Sequence, residues 1–178
     1  MGLALTNLEG FRNFVNDILI YVPNQTLALS TMLIKDLCWV ATHHNAKDKA
    51  LSAEHSQGVR LVSCDGNPVQ CSSGNQLSVD LALDEVESAS AIFLSAFWGS
   101  PNAALQESQP LLDWLCRAHE KGVPIAGTSN GPFFMAEAGL LDGKVATVYP
   151  PVADVFQRQY PAVNVLPERA ITDAGNLY

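Results

Sequence analysis

The chain has 178 residues, 48% of them hydrophobic and 16% charged, which suits one soluble globular domain with a substantial core rather than two. Ten Lys plus Arg against eighteen Asp plus Glu leave a formal net charge of −8, the wrong sign for a domain that grips phosphate backbones, so nucleic-acid binding by this stretch alone is disfavoured. Apolar runs such as Ile18 to Val22 are strand-sized, far short of the ~20 residues of a membrane span, and the opening MGLALTNLEG lacks the basic-then-apolar order of a signal peptide.

In chain order, Phe14 to Val22 predicts a buried first strand and Pro23 to Thr26 a loop. Leu27 to about Thr42 predicts a helix with Leu29, Leu33, Leu37 and Val40 on one face. Val59 to Cys64 is a second strand. Asp65-Gly66 between apolar runs predicts a hairpin returning through Pro68 to Ser72, with Leu77 to Val79 as a further edge strand. Ala89 to Phe97 is apolar throughout, as in a central strand buried on both faces. A helix starts near Pro110, turns Leu111, Leu112, Leu115 and Ala118 inward, and stops at Lys121-Gly122.

Val123 to Ala126 then predicts a strand, Pro132 to Leu141 a helix and Asp142-Gly143 a turn. Lys144 to Tyr149 is extended, Ala153 to Gln159 is a short helix, and Val163 to Leu166 and Ala170 to Thr172 are short strands. Strands separated by helices predict an α/β three-layer sandwich, a mainly parallel sheet with helices on both faces. Residues 1–178 read as a single domain. The ending, just after a strand and without a closing helix, is what a domain truncated at its C-terminus would show.

Between the strand and helix around residue 130 lies Gly127-Thr128-Ser129-Asn130-Gly131, a G-x-S-x-G elbow. Such a turn lifts one side chain above the sheet and aims backbone N–H groups at what binds there. A catalytic elbow serine needs a base, normally a histidine oriented by a carboxylate. In hydrolases built on this elbow the partners follow the serine, whereas His43, His44, His55 and His119 all precede it.

The run Ile125 to Gly143, IAGTSNGPFFMAEAGLLDG, resembles the PfpI-like branch of the class I glutamine amidotransferase-like fold, a flavodoxin-like architecture. More narrowly it is similar to the N-terminal domain of a group of AraC-family transcriptional regulators. Cys64-Asp65-Gly66-Asn67-Pro68-Val69, Ser73-Gly74, Tyr160-Pro161 and Asp173 to Asn176 also fall at that family's positions. The resemblance implies an effector-sensing, homodimerising domain that binds a small molecule, acts in the cytoplasm without cofactor, metal or membrane, and reaches DNA only through a C-terminal helix-turn-helix domain absent from this chain.

Catalytic relatives carry Cys where this chain has Ser129, and His soon after the elbow helix, where it has Val148-Tyr149-Pro150. An acidic residue beside the first loop tunes that thiol, yet Asn24, Gln25 and Thr26 are uncharged, and Lys35 stands where regulators often have Glu. Ser129 and Tyr149 are thus degenerate catalytic positions, and a non-catalytic domain is expected. Ser129, Asn130 and Gly131 are expected to line a ligand pocket with Trp98 and Gly99 from the loop after the central strand. The alternative is a serine-dependent hydrolase or amidase using Ser129, with N–H groups near Gly99 and Asn130 as its oxyanion site. A free-standing binding protein is a third reading.

Other polar features have plainer readings. Cys38, Cys64, Cys71 and Cys116 are scattered, without C-x-x-C or histidine at ligand spacing, and read as reduced thiols rather than a Cys64–Cys71 disulfide. His43-His44 suit a helix C-terminus. Asp80, Asp84, Glu85 and Glu87 read as a solvated connection, since a calcium loop needs alternating oxygen ligands and a central glycine. Trp39 and Trp114 fall on helices, as core or dimer contacts.

Overall fold

A computed structural model describes residues 17–46 and 58–178, with only the backbone for 43–46. The apolar runs ending at Tyr21, Ser63, Leu94 and Gly127 lie side by side as β1 (Ile18–Tyr21), β2 (Val59–Ser63), β6 (Ala91–Leu94) and β7 (Ile125–Gly127). With β5 (Leu81–Ala82) at one edge they form a five-stranded sheet of order β5-β2-β1-β6-β7, in which every pairing is parallel. Ile18 sits level with Val59 on one side and Ala91 on the other. Parallel strands require crossovers, and the helices that supply them cover the sheet.

One face carries the larger core. Leu19, Tyr21, Ile92, Leu94 and Ile125 meet Leu111, Trp114, Leu115 and Ala118 of α3 (Gln109–Glu120), and Phe133 and Phe134 of α4 (Pro132–Glu137). The Trp114 indole donates to the Val86 carbonyl at 2.8 Å, so its polar atom is satisfied inside the core. On the other face Ile20, Val22, Val59 and Leu61 meet Ile34 and Cys38 of α1 (Ala28–Ala46). Helices on both faces of a parallel sheet are the layering that the sequence predicts.

Several local expectations are revised. The hairpin is not formed by β2 and its return. Instead β3 (Val69–Gln70) pairs antiparallel with β4 (Gln76–Leu77) around Gly74, while Asp65 accepts from the Asn67 N–H at 3.0 Å in a local turn. The central strand spans only Ala91–Leu94 of the predicted 89–97. A helix, α2 (Pro101–Glu107), precedes α3 and is absent from the sequence prediction. The elbow helix ends at Glu137, with Gly139 left-handed at φ 72°.

The later strands are β8 (Val145–Ala146) and β9 (Asn164–Val165), flanking α5 (Ala153–Gln159) as predicted. Residues 170–172 form no strand; it is Leu177 that bridges to Ile125 beside β7. Phe14 to Asn16, at the start of the predicted first strand, and His55 lie outside the described residues.

The acidic residues near the sheet edge, Asp80, Asp84, Glu85 and Glu87, are exposed, and two of them also make defined contacts. Lys35 meets Asp80 at 2.9 Å, and Asp80 also accepts the Leu61 N–H at 2.8 Å. Burial raises the Asp80 carboxyl, but the Leu61 N–H and Lys35 outweigh it and hold the group below its ordinary value. The acidic segment is therefore partly structural: Glu85 likewise accepts from the Ala82 N–H at 2.7 Å.

Candidate functional site

The elbow follows from where β6 and β7 stop, with Leu94 level with Gly127. Beyond that point Thr128 turns back over β6, and both its N–H and its hydroxyl donate to the Leu94 carbonyl, at 3.1 and 3.2 Å. Ser129 then adopts φ 57°, left-handed backbone that is uncommon outside glycine. Gly131 N–H closes the turn on the Thr128 carbonyl at 2.8 Å, and Pro132 opens α4.

The two flanking glycines are there for space. A Cβ on Gly131 would lie 2.6 Å from the Leu94 carbonyl oxygen and 2.9 Å from Thr128 N, and one on Gly127 would lie 2.8 Å from Pro132 N. All are backbone atoms and cannot swing aside. Below the turn, Phe133 and Phe134 are fully buried, and the Phe133 ring meets Phe156 edge-on at 4.8 Å.

The Ser129 side chain faces an open cleft of about 620 Å³. Phe93 and Ala126 form its floor, and its walls come from Thr147, Tyr149, Arg169 and Tyr178. Tyr149 N–H donates to the Ser129 carbonyl at 3.1 Å, so Tyr149 stands directly beside the elbow. The final residues extend the sheet past β7, with Gly127 N–H on the Tyr178 carbonyl and Tyr178 N–H on the Ile125 carbonyl, at 2.8 and 2.9 Å. An adjoining cavity of about 540 Å³ shares Arg169, Ile171 and Tyr178.

Of the residues expected to bind ligand, Ser129 alone lines this cleft. Asn130 is buried, donates its side-chain amide to the Phe97 carbonyl at 3.1 Å, and leaves its Oδ1 without a partner among the described residues. Gly131 spends its N–H inside the turn. Trp98 is exposed on the loop after β6, held to β1's side by its N–H on the Gln25 carbonyl at 2.8 Å, with Gly99 at φ 103° following it. That loop lies at the β1/β6 reversal of strand order, the other crevice of such sheets.

Among the described residues no titratable side chain is hydrogen-bonded to Ser129. His119 sits in the last turn of α3, just before β7 begins and thus at the end of that strand away from the elbow. His43 and His44 fall in the last turns of α1, where only the backbone is described. Among the described residues a carboxylate brought to the first loop is that of Glu107, which accepts from the Asn24 side chain at 3.1 Å. It rides on the helix that sequence reasoning missed, although Ser100-Pro101 carries a start signal: Ser100 Oγ accepts from the Ala103 N–H.

All four cysteines are free, and burial pushes the Cys38, Cys64 and Cys71 thiols up, away from thiolate. Among the described residues no group of three His, Cys, Asp or Glu is placed to hold a metal ion, and no helix is long and apolar enough to cross a membrane.

Comparison with known proteins follows the same lines. The chain is 34% identical over 108 residues to the HTH-type transcriptional regulator CdhR of Pseudomonas aeruginosa, covering 61% of this chain and 31% of that protein. The chain therefore spans about a third of the regulator's length. Its fold is similar to that of an AraC family transcriptional regulator from Pseudomonas putida (TM-score 0.70, 18% identity, 90% of this chain and 80% of that one). It is similar also to Drosophila melanogaster DJ-1beta (TM-score 0.69, 21% identity, 91% and 79%). Residues 47–178, which include the elbow and every wall of the cleft, match the DJ-1/PfpI family, and the chain belongs to that family.

Proposed function

We propose that this chain is the effector-sensing and dimerising domain of an AraC-type transcriptional regulator, and that it performs no catalysis. The observation that carries this reading is the state of the elbow: Ser129 has the strained φ of a nucleophile position, yet Tyr149 stands where a base would be. A hydroxyl without a base is a weak nucleophile, so the retained turn serves as a wall of a binding cleft. The regulators CdhR of P. aeruginosa and the AraC family protein of P. putida support the regulatory half of the reading.

The cleft is of a size for a small metabolite, and its apolar floor with Arg169, Thr147 and Tyr149 around it supplies a few polar groups to orient one. DNA contact belongs to a separate domain, since a net charge of −8 opposes phosphate binding here. A thermal-shift screen over amines, amino acids and sugars tests the reading, because a ligand bound only by the native state raises the melting temperature by mass action. A hit that survives Ser129→Trp, which fills the cleft mouth, would remove the cleft from the account.

A further inference from the structure

Two cavities meet at one cation. Arg169 lines both the elbow cleft of about 620 Å³ and the adjoining cavity of about 540 Å³. Its main chain is fixed on both sides: the N–H donates to the Leu166 carbonyl at 3.1 Å, and the carbonyl accepts the Thr147 hydroxyl at 2.8 Å. The guanidinium itself has no carboxylate within ion-pair distance among the described residues. In a chain of net charge −8, an unpaired guanidinium on an anchored loop beside a cleft is the place to hold an anion.

Rings supply much of the remaining lining. Phe93 lies on the floor, and Tyr149 and Tyr178, each 39% exposed, stand in the walls. Such a surface suits a flat apolar body, which gains both face and edge contacts. Glu168 also borders the elbow cleft but not the adjoining cavity, so it opposes a second negative charge on the ligand.

We propose that the cleft takes an aromatic monocarboxylate, with its carboxylate on Arg169 and its ring over Phe93 and Ala126. This rests on the reading of the cleft as a binding site and names the ligand class. A guanidinium donates two parallel N–H bonds to a carboxylate, and a neutral amide of the same shape cannot accept both. Thr147 is a positioning residue: through its bond to the Arg169 carbonyl it fixes the point from which the guanidinium reaches.

Isothermal titration calorimetry on the whole 178-residue chain tests this with phenylacetate, phenylacetamide, phenethylamine and acetate as probes. Phenylacetate should bind at least about 10-fold more tightly than the other three, since each lacks either the charge or the ring. Arg169→Gln should weaken phenylacetate about 10- to 100-fold and leave phenylacetamide unchanged. Thr147→Val should reduce the preference for phenylacetate over phenylacetamide by about threefold or more, a ratio that a loss of stability alone does not move. It also repeats the test if Arg169→Gln fails to fold, and an unchanged ratio then counts against the carboxylate.

Phenylacetamide binding as tightly as phenylacetate, or an Arg169→Gln chain with undiminished affinity for phenylacetate, overturns the ligand class and leaves the cleft a binding site. Phenethylamine binding most tightly does the same, and transfers recognition to Glu168. Silence from all four probes at millimolar concentration also overturns the ligand class alone, because the wider metabolite screen still tests the cleft. Phenylacetate binding that survives Ser129→Trp moves the ligand elsewhere and overturns the cleft as well.

Discussion

The Tyr149 N–H donates to the Ser129 carbonyl at 3.1 Å, tying the loop after the elbow helix to the elbow itself. The bond holds the backbone at residue 149 against the turn at residue 129. Geometry of this kind is kept by the backbone: Thr128 on Leu94, Gly131 on Thr128 and Tyr149 on Ser129.

The left-handed backbone at Ser129 makes a first prediction. Ser129→Gly should leave stability unchanged or raise it by up to about 1 kcal/mol, and Ser129→Val should lower it by about 1–3 kcal/mol. Urea unfolding of both variants gives the difference. A valine variant as stable as the glycine one would mean that the strain is absent in solution.

Gly131 differs, because its φ of −53° suits any residue and its space does not. Gly131→Ala should cost about 2–4 kcal/mol, as the methyl meets the Leu94 carbonyl oxygen and Thr128 N rather than a movable side chain. Gly74, with nothing near its Cβ position but φ 86°, supplies the contrast: an alanine there should cost only about 1 kcal/mol, through backbone conformation alone.

The framework of the fold was legible in the sequence because its strands are continuous apolar runs and its helices end on clear signals. Gly122, for instance, sits at φ 77° and donates to the His119 carbonyl, as Lys121-Gly122 suggests. Asp-Gly misled as a hairpin cue: Asp65 engages Asn67 locally, and β2 is already occupied on both sides by β1 and β5. Helical spacing on α1 identified an apolar face correctly but carries no information on which side the sheet lies. For the site, the elbow was evident from its glycines. The cleft walls at Thr147, Arg169 and Tyr178 come from residues with no local signature, brought together by the return of the chain after α5.

Asp80 gives a pH test. Its carboxyl is held below the ordinary value, so the stability it contributes is fully present above about pH 4 and is lost as the pH falls through the lowered folded value. Asp80→Asn should therefore be less stable than wild type by about 1 kcal/mol between pH 5 and 7, and the gap should close in acid. Thermal melts at pH 3 and pH 6 check the sign. A gap that widens in acid would show the ion pair with Lys35 to be irrelevant.

In the core, Trp114→Phe keeps the ring packing but strands the Val86 carbonyl that accepts from the indole at 2.8 Å. A loss of about 1–3 kcal/mol is expected by chemical denaturation, larger than a volume-conserving swap would cause.

The central claim is that Ser129 forms part of a binding wall and does not act as a nucleophile. Its most direct test is intact-mass analysis after incubation with a serine-directed fluorophosphonate, with Ser129→Ala as the control. Wild type and control should both keep their starting mass. A stoichiometric adduct on wild type that is missing from Ser129→Ala would contradict the claim and place a working base beside the elbow.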